Sequence, residues 1–87
     1  MQYQFLTDLD AASVAALRSD IESLSAGEDA LTLDMAKVNF IDSSGVGALV
    51  YLHKRQRGRG LQFKIENLHG QPKSLFAKLR LDRVMCN

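Results

Sequence analysis

Along the 87 residues, apolar positions recur first at every second place and then at every third or fourth, and this succession constrains the fold more than any other feature. Tyr3 to Leu6 is a short aromatic and apolar run that predicts a strand. Asp10 follows as a helix N-cap, because its carboxylate can accept from the free amides of a first turn. Behind it Val14, Leu17, Ile21 and Leu24 share one helix face, while Arg18, Asp20, Glu22 and Ser23 fall away from it. Gly27 is placed to close that helix. Ala30 to Asp34 predicts a second strand, and Val38, Phe40 and Ile41 extend apolar, strand-like character up to Asp42. Gly45 to Arg57 predicts a second helix with Val46, Leu49, Val50 and His53 on its inner face. Leu61, Phe63 and Ile65 alternate with Gln62, Lys64 and Glu66, the pattern of a strand with one buried face. Pro72 suits the first turn of a third helix, with Leu75, Phe76 and Leu79 inward. Val84 and Met85 read as a short last strand or a docked tail. The order β-α-β-α-β-α implies an α/β fold. The expected architecture is a central mixed, mostly parallel sheet of about four strands with helices packed on it.

A chain of this length supports one compact domain, residues 1–87, and not two. Its 46% hydrophobic and 24% charged content is that of a globular protein and argues against intrinsic disorder. Eleven basic against ten acidic residues leave a net charge of +1, so no global field draws the chain to nucleic acid or to an anionic membrane. The single cysteine, Cys86, builds no disulfide framework and no metal cluster, and reads as an incidental tail thiol in a reducing compartment. The first residues lack the basic and then apolar pattern of a signal peptide. The densest apolar stretch, Val46 to Leu52, is too short to span a bilayer. A cytoplasmic protein without direct membrane insertion is the expectation.

The chemistry concentrates in Val38-Asn39-Phe40-Ile41-Asp42-Ser43-Ser44-Gly45-Val46-Gly47. An apolar run leads into an acid, two hydroxyls and a glycine, and then into a helix. Hydroxyls are thereby exposed at a helix N-terminus, where unpaired amides and the helix dipole stabilise a phosphate. Gly45 and Gly47 permit close approach by another backbone or by a partner surface. From spacing alone, the plainer reading of Asp or Ser before a helix is a cap.

This segment resembles the signature of the bacterial STAS family, the anti-sigma-factor antagonists and their relatives: Asp, Ser, Ser or Thr, Gly, a hydrophobic residue, Gly. Ile41-Asp42-Ser43-Ser44-Gly45-Val46-Gly47 carries the match. Asp8-Leu9-Asp10-Ala11 is similar to the family's Gly-x-Leu-Asp segment at the start of the first helix, with Leu9 and Asp10 in register. Ser74-Leu75-Phe76-Ala77-Lys78-Leu79 is similar to its Leu-Phe helix near the C-terminus. The resemblance implies a non-enzymatic regulatory module with no cofactor and no metal. It implies Ser43 as a phosphorylation site and Asp42, Ser43, Ser44, Gly45, Val46 and Gly47 as the partner-binding loop. The implied partners are a serine kinase that doubles as an anti-sigma factor, and a phosphatase that resets the switch. Thr7 stands where the family usually has Gly, and the expectation from the resemblance is a domain without the usual first strand and final helix. Sheet edges left uncovered in this way invite pairing with another chain, which makes a homodimer an expectation.

Relatives also serve as constitutive subunits that dock on the ATPase of lipid-transport ABC systems, and this is the alternative reading. An enzyme is less favoured, because a nucleophilic serine needs an adjacent base. His53 would lie about 15 Å down a regular helix from Ser43, and His69 sits in a loop, where a lone histidine is usually solvated. No Gly-Lys-Ser/Thr follows the glycines, so the segment is not a nucleotide-binding P-loop. The basic run His53-Lys54-Arg55-Gln56-Arg57-Gly58-Arg59 has no interleaved aromatics. It reads as a solvated helix end that complements the dipole rather than as a nucleic-acid surface.

Overall fold

The computed structural model describes residues 1–85. Cys86, read from the sequence as a tail thiol, lies outside them. The elements run β1 (Gln2–Gln4), α1 (Ala11–Ala16), α2 (Arg18–Ala26), β2 (Leu31–Asp34), α3 (Ser43–Gly58), β3 (Phe63–Glu66), α4 (Gly70–Lys78) and α5 (Asp82–Met85). The fold is α/β, as the alternation of patterns implies. Its sheet holds three strands among the described residues rather than about four, in the order β1-β2-β3. Both pairings are parallel, with Tyr3 beside Leu33 and Leu33 beside Ile65.

Two segments of strand-like character form no strand, and the second of them was the expected fourth. Val38 to Ile41 forms no strand and makes only a single parallel bridge, Leu9 to Ile41. Val84 and Met85 belong to the short helix α5, where Met85 is buried. The register sorts the strand residues cleanly. Leu31, Leu33 and Ile65 are buried on one face, with Tyr3 and Phe63 packed beside them. Gln2, Gln4, Thr32, Asp34, Lys64 and Glu66 alternate onto the other face, and all of them are polar. The hydrophobic core therefore draws on one face of the sheet and is completed by Ile21, Leu24, Leu49, Leu52 and Phe76 from the helices. A parallel sheet is usually covered on both faces. Here the second face is held by polar contacts, with Gln4 and Asn67 donating to Asp34 and a Lys64–Glu66 ion pair at 3.3 Å.

The helices follow the sequence pattern with informative departures. Asp10 caps α1 as expected, accepting from the Ser13 amide at 2.8 Å. The expected single first helix is broken at Leu17, whose amide is shared between the carbonyls of Ser13 and Val14. The apolar stripe survives the break: Ile21 and Leu24 are buried, and Val14 and Leu17 are half-buried. Gly27 ends α2 in extended backbone, not in the left-handed conformation that favours glycine. Helix α3 starts two residues before the expected Gly45, and its innermost residues are Gly45, Leu49, Leu52 and Gln56. Val46, Val50 and His53 stand at the margin of that stripe and are half-buried. In α4, Pro72 and Phe76 are buried, but Leu79 caps the helix and is 50% exposed rather than inward.

Candidate functional site

Three loops leave the C-terminal ends of the three parallel strands, the end at which open α/β sheets place their sites. They are residues 5–10 after β1, residues 35–42 after β2 and residues 67–69 after β3. Hydrogen bonds join them into one assembly. The Asp8 carboxylate accepts from the amides of Asn39 at 2.8 Å and Phe40 at 3.2 Å. The buried Leu9 donates to the Phe40 carbonyl at 3.0 Å, and its own carbonyl accepts from the Asp42 amide at 3.2 Å.

Asp42 is the hub. One carboxylate oxygen accepts from the amides of Ser44 at 2.8 Å and Gly45 at 3.1 Å, which caps α3. The other accepts from the Ala11 amide at 3.1 Å, at the start of α1. A single side chain thus satisfies otherwise unpaired donors at two helix N-termini. The neighbouring Asp10 has its carboxyl held below the usual range by the Ser13 amide and hydroxyl.

Gly45 explains why the loops can close on one another. A Cβ at this position would run into the Leu9 carbonyl oxygen and lie 2.5 Å from Ile41 Cγ1 and 2.8 Å from Leu9 Cβ. The first turn of α3 therefore lies flat against the Leu9 loop, and only glycine fits. Gly47 is the opposite case: it is exposed and a Cβ there would meet nothing within 4 Å. The fold has no steric need for glycine at that position.

The structure brings the residues singled out from the sequence into one place. Leu9, Asp10, Asp42, Ser43, Ser44, Gly45, Val46 and Gly47 all lie at the paired starts of α1 and α3. Ser43 is the first residue of α3 and is exposed, Ser44 and Val46 are half-buried, and Gly45 is buried. Two large apolar side chains are open to solvent in the same loops, Leu6 at 67% and Phe40 at 45%. The sequence suggested unpaired amides for a phosphate at this helix start, but two of them, those of Ser44 and Gly45, are already engaged by Asp42.

Both histidines are engaged with other neighbours. His69 has Nε2 at 2.9 Å from the Ala36 carbonyl oxygen, so this exposed loop residue is tethered rather than simply solvated. His53 stands edge-on to Phe63 with ring centroids 5.4 Å apart. Among the described residues, no group of three or more His, Cys, Asp or Glu side chains is placed to hold a metal ion. No helix among the described residues is long and apolar enough to cross a membrane.

Sequence reasoning missed the contributions of Asp8 and Gln71. Asp8 appeared only as part of a matching segment. Gln71 carried no local signal, since its partner is Ile41, thirty residues away.

The parallel sheet and the capped, glycine-tightened Asp-Ser-Ser-Gly turn at the head of α3 define a small α/β domain with one tightly built loop assembly. The chain belongs to the STAS domain family, whose model matches residues 1–87. STAS domains are generally non-catalytic binding modules. The search of curated proteins found no match.

Proposed function

We propose that this chain is a partner-switching module. The Ser43 loop docks on a protein partner, and phosphorylation of Ser43 releases it. The observation that carries the reading is the exposed hydroxyl of Ser43 on a turn whose neighbours are fixed by Asp42 and Gly45. Leu6 and Phe40 supply apolar contact area from the loops joined to it. As in the anti-sigma-factor antagonists that the sequence resembles, the partner is a serine kinase that also acts as an anti-sigma factor. The kinase transfers the γ-phosphoryl group of ATP to Ser43 Oγ, the hydroxyl proton leaves and ADP is released. A phosphatase restores the hydroxyl.

The added group carries about −1.5 to −2 charges at neutral pH. With the Ser44 and Gly45 amides held by Asp42, those two donors are not available to it. The charge stays at the surface beside the Asp42 carboxylate, where a docked partner must desolvate it, and an unpaired charge in an interface is costly. A thousandfold loss of affinity corresponds to about 4 kcal/mol.

The test is a pull-down from native lysate with wild type and Ser43→Asp side by side, read by mass spectrometry. Capture of a kinase-like protein by wild type that Ser43→Asp loses is the expected result. Equal capture of a transporter ATPase by both overturns the switch. It would establish the alternative of a constitutive docking subunit, with Ser43 reduced to a helix-start residue.

A further inference from the structure

Ile41 immediately precedes the Asp42 hub, and its backbone is held from two sides by different kinds of partner. On one side runs the parallel bridge to Leu9, made by the Leu9 amide to the Phe40 carbonyl and the Asp42 amide to the Leu9 carbonyl. That pattern turns the N–H and C=O of Ile41 itself the other way. There they meet the side chain of Gln71, in the first turn of α4. Gln71 Oε1 accepts from the Ile41 amide at 2.8 Å, and Gln71 Nε2 donates to the Ile41 carbonyl at 2.9 Å. A primary carboxamide offers the same donor and acceptor pair as a peptide group. Gln71 therefore takes the place that a neighbouring strand would occupy beside Ile41. Ile41 is fully buried, so both of its backbone groups need partners.

The tie is reinforced from the loop just before α4. Asn67 donates to Asp34 at 2.9 Å, and His69 Nε2 lies 2.9 Å from the Ala36 carbonyl oxygen. The β3–α4 connection and the first turn of α4 thus hold the end of β2 at Asp34 and the β2–α3 loop at Ala36 and Ile41. Of the three contacted residues, Ile41, held by Gln71, is nearest to Ser43 along the chain.

We propose that Gln71 is a positioning residue for the Ser43 loop: it fixes the Ile41 peptide, and through it the Asp42 cap and the pose in which Ser43 is presented. This rests on the reading of the Ser43 loop as the docking element. It adds that α4, which supplies none of the Asp-Ser-Ser-Gly residues, sets the geometry of that loop. Any change that shifts the first turn of α4 is then transmitted to Ser43 through one side chain.

The test uses the full chain and two variants, Gln71→Ala and Gln71→Glu. Hydrogen exchange at the Ile41 amide, followed by NMR, reads the clamp without reference to any partner. In Gln71→Ala the Ile41 amide should exchange about tenfold faster, while Leu33 and Leu49 keep their rates. In Gln71→Glu the ionised carboxylate accepts from the Ile41 amide but opposes its carbonyl, whereas the protonated acid makes both bonds. Its Ile41 protection, corrected for intrinsic exchange, should rise as pH falls through about 4.3, and that of Gln71→Ala should not. A general loss of packing gives no such profile. The protein captured by the wild-type bait should bind Gln71→Ala about tenfold more weakly. Unchanged Ile41 exchange in Gln71→Ala, or no pH profile in Gln71→Glu, overturns the clamp. Lost Ile41 protection with unchanged partner affinity overturns the positioning role and leaves the docking reading intact. If no partner sensitive to Ser43→Asp is captured, the docking reading fails by itself, and the exchange result still decides whether Gln71 holds the loop. Should Gln71→Ala exchange fast throughout, the pH profile of Gln71→Glu decides.

Discussion

Gly45 and Gly47 lie two positions apart on α3, and replacing each with alanine should change stability in opposite directions. At Gly45 the added methyl group meets three atoms at once, two of them belonging to Leu9. Carbon atoms pack at about 3.5–4.0 Å, so the 2.5 Å approach to Ile41 Cγ1 is an overlap of about 1 Å. The Leu9 backbone has little room to retreat, since its amide is bonded to Phe40 and its carbonyl to Asp42. Overpacking of this kind costs about 1–3 kcal/mol, and rigid backbone on the opposing side places it at the upper end. Alanine regains up to about 1 kcal/mol of helix propensity over glycine. The net expectation for Gly45→Ala is a loss of about 2 kcal/mol. At Gly47 the clash term is absent and the propensity term remains, so Gly47→Ala should gain up to about 1 kcal/mol. In urea, with a slope of about 1 kcal/mol/M for a domain of this size, the midpoints should move about 2 M down and up to about 1 M up. Circular dichroism across a urea series reads both. Equal midpoints for Gly45→Ala and wild type would refute the close packing of α3 on the Leu9 loop. A destabilised Gly47→Ala would show that the open space at that position is occupied in solution.

Three further expectations follow from single contacts. Arg80 sits at φ 59° just after α4, a conformation that favours glycine, and Arg80→Gly should raise stability by about 0.5–1 kcal/mol in the same urea assay. Gln56 is fully buried and its amide donates to the carbonyls of Asp29 at 3.0 Å and Gln62 at 3.1 Å, so Gln56→Leu should cost about 2 kcal/mol despite its apolar gain. His53 is held below its ordinary value of 6.5 by burial and then by the nearby Arg57, with a partial offset from the Val84 backbone, and its Nε2 has no hydrogen-bond partner among the described residues. As pH falls through that ordinary value the unfolded chain takes up a proton that the folded chain resists, so this contribution is intact above it and is lost progressively below. His53→Leu should flatten the fall in urea midpoint between about pH 7 and 5, and equal slopes for the two proteins would sink this account.

Much of the fold was legible because its signals are local. Leu31 and Leu33 alternate with Thr32 and Asp34, and the structure buries the first pair while turning the second outward. Asp10 and Asp42 stand before helices and cap them. The inner face of α3 was less legible. Val46, Leu49, Val50 and His53 fit helical spacing as well as Gly45, Leu49, Leu52 and Gln56 do. A reading by hydropathy passes over a glycine and a glutamine whose burial depends on distant backbone. Val38 to Ile41 has strand composition, but Gln71 supplies by side chain what a neighbouring strand would supply by backbone, and the segment remains a single bridge.

The candidate site was legible in its residues and misjudged in its electrostatics. A sequence shows which group stands at a helix N-terminus, but not which donors that group has already taken. Asp42 lies one residue before Ser43, reaches around it to the Ser44 and Gly45 amides, and spends its other oxygen on α1. The cap that fixes the turn is therefore the same group that denies a phosphate on Ser43 those two amides. In the switch reading the two roles belong together. A charge that the fold absorbed locally would be a weak signal, whereas one held beside another carboxylate on the docking surface must be met by the partner.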